Sequence, residues 1–274
     1  MIVTNLEQIE QRLHELAPSG PDDLSRAMSY ALFGGGKRLR PRLVMAAAET
    51  FGIDPALALD PACAIEMVHT YSLVHDDLPC MDNDDFRRGR PTVHRVFIEG
   101  IAVLTGDALL TEAFRIISES NGLSDHQKVR LITVLAARAG KDGMVGGQAI
   151  DILSSDMIVT QELTLQIDQK KTGELFSSSL EFGAIIAHAP EAIQMRLRGI
   201  GHQLGFAYQI LDDLEDAQND DKATMLSILG HDASRERLRR TIDEIYHQLS
   251  KLPSGAEPIK SILDLIFHTG QVVR

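Results

Sequence analysis

Two clusters of acidic residues each follow a long apolar run. The stretch 62–74 ends in His75-Asp76-Asp77-Leu78-Pro79-Cys80-Met81-Asp82-Asn83-Asp84-Asp85, which places five aspartates within ten residues. The run 204–211 ends in Asp212-Asp213-Leu214-Glu215-Asp216. One such cluster alone is as readily a solvated helix end. Carboxylates at a helix C-terminus oppose the helix dipole, however, so two clusters in that position invite a compensating cation. Asp212 and Asp216 are four residues apart and share one helix face about one turn apart. Asp76 and Asp82 are six apart, and a regular helix would aim them in different directions. Pro79 between them breaks a regular ladder, and removing two residues from Leu78-Pro79-Cys80-Met81 restores a spacing of four. The spacing therefore predicts a local bulge that returns both carboxylates to one mouth. Hard, all-oxygen donors point to magnesium rather than zinc.

Basic residues accompany the acids. Phe86-Arg87-Arg88-Gly89-Arg90-Pro91 follows the first cluster, Gly34-Gly35-Gly36-Lys37-Arg38-Leu39-Arg40-Pro41 opens an earlier helix, and Lys170-Lys171-Thr172-Gly173 interrupts another. Glycine-rich turns with Lys and Arg offer what a diphosphate requires: backbone N–H groups, a bidentate guanidinium and a point charge. Each basic loop by itself is more often a solvated surface. Two metal-type acidic clusters with three phosphate-type basic clusters in one chain suggest a magnesium–diphosphate enzyme.

The elements that must position these groups read as helices. Leu6, Ile9, Leu13 and Leu16 fall at helical spacing, and Pro18-Ser19-Gly20-Pro21 stops that helix. Asp22 or Asp23 caps the next, which runs to Phe33 and ends at the three glycines. Further helices are expected over 39–51, 56–78, 95–120, 125–140, 161–187, 190–216, 234–250 and 257–267, rich in good helix formers. Alternating β-branched runs are nearly absent, and Met157-Ile158-Val159-Thr160 is too short to found a sheet. The stretch 62–74 is apolar on most faces, as in a helix enclosed by neighbours. With no repeat, low-complexity tract or dividing linker, residues 1–274 are expected to form a single all-α domain, a bundle of ten or more helices.

The 274 residues carry 27 basic and 39 acidic side chains, a formal net charge of −12. That field argues against a general binder of nucleic acid or anionic membrane. Cys63 and Cys80 make neither a disulfide framework nor a zinc-finger spacing and suit a reducing cytosol. No apolar run approaches the ~18–20 residues of a membrane span, and Met1–Glu7 lacks a secretory pattern. A cytoplasmic protein is expected.

The order of motifs is itself informative. Gly-Gly-Lys-Arg-Leu-Arg-Pro (35–41), Asp-Asp-Leu-Pro-Cys-Met-Asp (76–82) with Arg87-Arg88-Gly89, Gly-Asp-Ala-Leu-Leu (106–110), Gly-Gly-Gln-Ala-Ile-Asp (146–151), Lys-Thr-Gly (171–173) and Gln-Ile-Leu-Asp-Asp (209–213) span most of the chain. This series resembles the short-chain trans-prenyltransferases, or isoprenyl diphosphate synthases, in their bacterial farnesyl and plastid geranylgeranyl diphosphate synthase branch. The resemblance implies an isoprenoid synthase-like bundle around a deep central cavity, usually a homodimer, with both Asp-rich motifs at its mouth. Carried over by position, Asp76, Asp82 and Asp212 would hold magnesium ions that bridge an allylic diphosphate, supported by Asp77, Asp213 and Asp216. Lys37, Arg40 and His69 match contacts to isopentenyl diphosphate, with Arg88 alongside. Arg87, Lys171, Thr172 and Gln209 match contacts to the allylic substrate. His75 matches no such contact and reads as structural.

The implied reaction ionises the allylic diphosphate, adds isopentenyl diphosphate to the resulting cation and eliminates a proton. In the family, bulk five residues before the first aspartate goes with fifteen-carbon products, so Tyr71 with Ser72 implies farnesyl diphosphate. The alternative is geranylgeranyl diphosphate. After Asp216 the sequence departs from the family, because Ala217-Gln218-Asn219-Asp220-Asp221 leads straight to Lys222-Ala223-Thr224-Met225. Lys222 aligns with the later of two family lysines, the earlier has no counterpart, and Met225 replaces a tyrosine. This shortened segment leaves open a weakly active or non-catalytic subunit. A terpene cyclase or head-to-head condensing enzyme would not explain the basic site at 35–41.

Overall fold

The computed structural model describes residues 2–154, 160–215, 225–252 and 255–267. Helix α1 (Ile2–Leu16) sends Ile9 and Leu13 into the core. Helix α2 (Asp23–Leu32) starts at Asp22, whose carboxylate accepts the Ser25 N–H at 2.9 Å, the usual solution for an unpaired first-turn donor. Past the glycine turn, α3 (Leu39–Thr50) begins from Arg38. A short 3-10 turn, Pro55–Ala58, leads into α4 (Leu59–Asp76), which is enclosed as its composition foretold: Pro61 to Val68 are all buried.

A small hairpin follows. Strands β1 (Phe86–Arg87) and β2 (Arg90–Pro91) pair antiparallel, with Arg87 opposite Arg90. The two linking residues, Arg88 and Gly89, have φ of 52° and 74°, the left-handed pair that tight hairpins prefer. The chain continues through α5 (Val93–Val96), α6 (Glu99–Glu119), α7 (Asp125–Ala139), α8 (Met144–Ser154) and α9 (Gln161–Asp168). A π-turn, Gln169–Gly173, precedes α10 (Glu174–Ile186), and α11 (Glu191–Glu215), α12 (Met225–Leu229), α13 (His231–Ser250) and α14 (Glu257–Phe267) complete the chain.

These helices bury two principal apolar clusters. One gathers Ile65 and Met67 of α4, Leu109 and Ile117 of α6, and Leu131 of α7. The other gathers Ile210 of α11, Ile245 of α13 and Leu263 of α14. Helices α3 and α10 serve both: Val44, Met45 and Phe182 join the first, while Leu43, Ala47 and Phe176 join the second.

The all-α architecture agrees with what the sequence implies, with local differences. The expected helix 56–78 starts as a 3-10 turn and stops at Asp76; 95–120 divides into α5 and α6; and 161–187 is interrupted by the π-turn. Helix α8 was not foreseen, because Gly146 and Gly147 lower its intrinsic propensity while packing against the π-turn sustains it. Strands of two residues were equally invisible, being too short to alternate. Asp216 and Lys222 lie outside the described residues, as do Met157, Ile158 and Val159.

Helices α3 and α10 are in close backbone contact at Gly183. A Cβ there would lie 2.6 Å from the Ala48 backbone nitrogen and 2.7 Å from the Val44 carbonyl oxygen. Backbone cannot yield as a side-chain tip can, so Gly183→Ala is expected to destabilise by about 1–3 kcal/mol. The midpoint of urea unfolding measures it, and an unchanged midpoint would disprove the close contact.

Candidate active site

The first acidic motif folds as its spacing requires. Helix α4 ends at Asp76, and the insert closes on itself through Met81 N–H to Leu78 O at 2.9 Å and Asn83 N–H to Leu78 O at 3.1 Å. The Asp82 N–H then donates to the Asp76 carbonyl at 2.9 Å. Six residues of sequence are thus folded back so that the two aspartates are joined through their backbones. Burial, assisted by the charge of Asp82, pushes the Asp76 carboxyl up to about 6, with Lys171 opposing. Asp77 points elsewhere: it is buried and accepts Arg87 Nε at 2.6 Å.

The hairpin aims the basic residues. Arg87 is held by Asp77 from β1, and Arg88 at the turn donates to the Gly35 carbonyl. Arg90 donates to the Phe33 carbonyl at 2.9 Å, which ties the hairpin to the glycine turn. Across from them Arg40 lies over the Phe176 ring at 4.4 Å, and its guanidinium is 3.3 Å from His69 Nε2. Burial and the Arg40 charge hold His69 well below the usual imidazole range. His69 is therefore neutral, and its Nε2 accepts from Arg40. The Arg40 Nε is buried with no protein partner. Lys37 is exposed on the glycine turn.

The π-turn stands between the acidic motifs. Lys171 reaches back to Asp151 of α8 at 2.9 Å. Burial opposes its charge, but Asp76, Asp151 and Asp82 outweigh that and raise the ammonium above the usual lysine range. Thr172 donates to the Gln209 side-chain oxygen at 3.3 Å, and the Gln209 amide donates to Asp213 at 3.1 Å, linking the turn to α11. Asp212 sits one residue along α11, where its charge acts on Arg40 and Tyr208. A π-turn inserts an extra residue into the helical ladder and recurs at functional sites. Here it sets Lys171 toward α4 and α8 and Thr172 toward α11. Helix α8 packs close against the turn at Gly147, where a Cβ would lie 2.5 Å from the Lys171 backbone nitrogen.

These groups meet over a cavity of about 340 Å³, lined by Arg40, His69, Asp76, Lys171 and Thr172. Its hydrocarbon part is made by the Tyr71 ring, Leu73, Met81, Met144, Ile152 and Leu175. His69 and Leu73 also border a smaller pocket of about 50 Å³ that holds Glu66, Asp77, Arg87 and Arg88. A polar mouth over an apolar chamber accepts a molecule with a charged head and a hydrocarbon tail. The sequence of the polyprenyl synthetase family, as a family model, matches residues 21–240. The chain belongs to that family.

Among its relatives, the farnesyl diphosphate synthase of Bacillus subtilis is 39% identical, over 90% of this chain and 88% of its own. The apo crystal structure of an FPP/GFPP synthase from Zymomonas mobilis superposes with a TM-score of 0.90 at 44% identity, over 97% of each chain. A geranyltransferase from Helicobacter pylori, crystallised with magnesium and isoprenyl diphosphate, gives 0.87 at 30% identity, over 97% of this chain and 96% of its own. The protein is a prenyltransferase that condenses isopentenyl diphosphate with allylic diphosphates.

Gln148, Asp151 and Asp168 carry no individual signal in the sequence, and the structure brings all three to the site, with His75 beside them. Gln148 lines the cavity with both amide atoms buried and without protein partners. Asp151, last of the motif at 146–151, holds Lys171. His75, which the sequence reading left as structural, borders the cavity beside Tyr71. Asp168, at the end of α9, is buried with one carboxylate oxygen unpartnered. Burial, then Asp213 and Asp151, push its carboxyl up to about 7, with Lys171 opposing. Nothing in the sequence marks Asp168 apart from its place three residues before Lys171.

A carboxyl whose folded value is raised contributes stability that is complete below about 4 and lost as pH climbs through 7. Asp168→Asn removes the ionisation. Its thermal midpoint, relative to the parent protein, is expected to improve by about 3 °C or more between pH 5 and pH 9. A pH-independent difference would show that Asp168 ionises freely.

Proposed function

We propose that the chain makes farnesyl diphosphate by adding isopentenyl diphosphate to dimethylallyl or geranyl diphosphate, with Mg²⁺. The observation that carries this reading is the Tyr71 ring in the hydrocarbon wall of the cavity, on the helix that ends at Asp76. Tyr71 lies about 7.5 Å from Asp76 along that helix, at ~1.5 Å per residue. Its buried ring stands across the path of a chain growing away from the polar mouth.

The donor set suits magnesium. Among the described residues no three His, Cys, Asp or Glu side chains form a group that would hold an ion alone. Magnesium is characteristically bound by one or two carboxylates with phosphate oxygens and water supplying the rest. Asp76, Asp82 and Asp212 would hold it, and a divalent ion offsets the burial and repulsion that push Asp76 up to about 6. When bound, magnesium neutralises charge that develops on the departing diphosphate.

The chain's own groups do the rest. Arg87 and Lys171 add fixed positive charge for the allylic diphosphate, and Lys222 would join them. Arg40, neutral His69 and Arg88, with Lys37 from the exposed turn, receive the diphosphate of isopentenyl diphosphate. The oxygens of Thr172 and Gln209, held together by their hydrogen bond, face the positive charge left on the allyl group as its C–O bond breaks. The apolar wall excludes water, so the double bond of isopentenyl diphosphate supplies the electrons for the new C–C bond. The proton lost afterwards goes to the departed diphosphate, which restores neutrality in the tail.

The proposed assembly is a homodimer. Phe86, Val96, Ile98, Val103 and Leu104 are exposed on the hairpin, α5, the link after it and α6, an apolar surface that a second copy would cover. No described helix is long and apolar enough to cross a membrane, and free Cys63 and Cys80 suit a reducing, cytoplasmic setting.

Incubation with Mg²⁺, isopentenyl diphosphate and geranyl diphosphate is expected to yield a fifteen-carbon product that disappears with chelator. Asp76→Ala and Asp212→Ala are expected to lower kcat by about 10²–10³ or more, the scale of a lost transition-state charge partner. Tyr71→Ala is expected to shift the product toward twenty carbons, read by mass spectrometry; an unchanged distribution removes Tyr71 from the account. Light scattering is expected to give twice the mass of one chain, and a monomer would refute the dimer.

A further inference from the structure

A second ring stands beside Tyr71. His75 lies one helical turn further along α4 and borders the same cavity. The two ring centroids are 5.8 Å apart with their planes at 80°, the edge-to-face arrangement that aromatic pairs favour. His75 is anchored from its other side by α6, where its Nε2 lies 2.9 Å from the Val103 carbonyl. A carbonyl only accepts, so the proton is on Nε2 and the tautomer is fixed by this contact.

The ring fits only because residue 106 is glycine. A Cβ at Gly106 would overlap the His75 imidazole at Nε2, Cδ2 and Cε1. Gly106 opens the Gly-Asp-Ala-Leu-Leu motif, to which neither metal nor diphosphate chemistry gives a task. The geometry supplies one: absence of a side chain on α6 lets a ring from α4 sit against its backbone.

We propose that His75 is a positioning residue for product length. Seated on Val103 in the space left by Gly106, it holds the Tyr71 ring in the cavity wall. The reach of the prenyl chain is then set by the α4–α6 contact as well as by Tyr71. A lone tyrosine on a helix chooses among rotamers, and the growing chain would push it into whichever opens the wall. The imidazole at the fourth position fills that space and removes the choice. This inference rests on the prenyl chain-length reading above.

Full-length parent protein, His75→Ala, His75→Phe, Gly106→Ala, Tyr71→Ala and the Tyr71→Ala/His75→Ala pair would be incubated with Mg²⁺, isopentenyl diphosphate and geranyl diphosphate. The ratio of twenty- to fifteen-carbon product is read by mass spectrometry, with a thermal melt to show folding. His75→Ala and Gly106→Ala are each expected to raise the ratio about threefold or more, the factor an aromatic pair contributes. His75→Phe keeps a ring against Tyr71 and is expected to stay nearer the parent ratio. Adding His75→Ala to Tyr71→Ala is expected to change nothing further. A parent-like ratio in His75→Ala, while Tyr71→Ala lengthens the product, overturns the role of His75 and leaves the prenyltransferase reading intact. If Gly106→Ala does not fold, the two His75 variants decide. No prenyl product from folded parent protein would instead overturn the functional reading on which this inference stands.

Discussion

Carboxylates gathered in a partly buried mouth lose solvation and repel one another, and the charges of the site are arranged against that cost. Asp76 sits beside Asp82, and burial with this like charge pushes it from 3.8 to about 6. Holding it ionised at neutral pH costs about 3 kcal/mol relative to a solvated aspartate. Lys171 is the protein's internal answer, its ammonium raised by Asp76, Asp151 and Asp82 together. One ammonium cannot balance both acidic motifs. The negative charge that remains is what the proposed Mg²⁺ would offset on binding.

The basic side of the site is built to complement that field without collapsing into it. Arg87 is tied to buried Asp77 at 2.6 Å, so it stays where the hairpin puts it. Arg38, four per cent exposed, spends its charge on Glu66 and Glu10 at 2.7 Å each and on the Leu32 carbonyl, which fixes the glycine turn. Arg40 is different. Its partners are a neutral imidazole and an aromatic face, and its Nε has no protein partner. A guanidinium so under-satisfied favours an arriving anion, and the diphosphate proposed for this site would supply the hydrogen bonds that the protein withholds.

The cavity lies against the first apolar cluster, which Tyr71, Met144 and Leu175 join, and α4 and α8 supply most of its lining. Helices α3 and α10 have a face in both clusters, and Arg40 and Leu175 project from their site-facing ends. Helix α4 supplies His69, Tyr71, Ser72, His75 and Asp76 from successive turns, so head-group and tail contacts share one rigid rod. Precision in the chemistry therefore depends on helix packing. The π-turn is the exception, a local widening held by Asp151 on one side and Gln209 on the other.

Helix periodicity, the apolar enclosure of α4, the Asp22 cap and the pairing of acidic with basic motifs were all legible in the sequence, because each depends on residues close together in the chain. So was the fold-back between Asp76 and Asp82, since Pro79 forbids a continuous ladder. Motif order supplied the candidate members of the site. What only the tertiary structure decided depends on distant partners: that Asp77 serves Arg87 through a hairpin too short to show alternation, that Asp151 fixes Lys171 from a helix whose glycines conceal it, that Asp168 is buried, and that His75 reaches the cavity wall. Spacing along a chain fixes which side chains share a face. It does not fix which backbone will pass close enough, as α6 does at Gly106, to seat a histidine ring at the cavity wall.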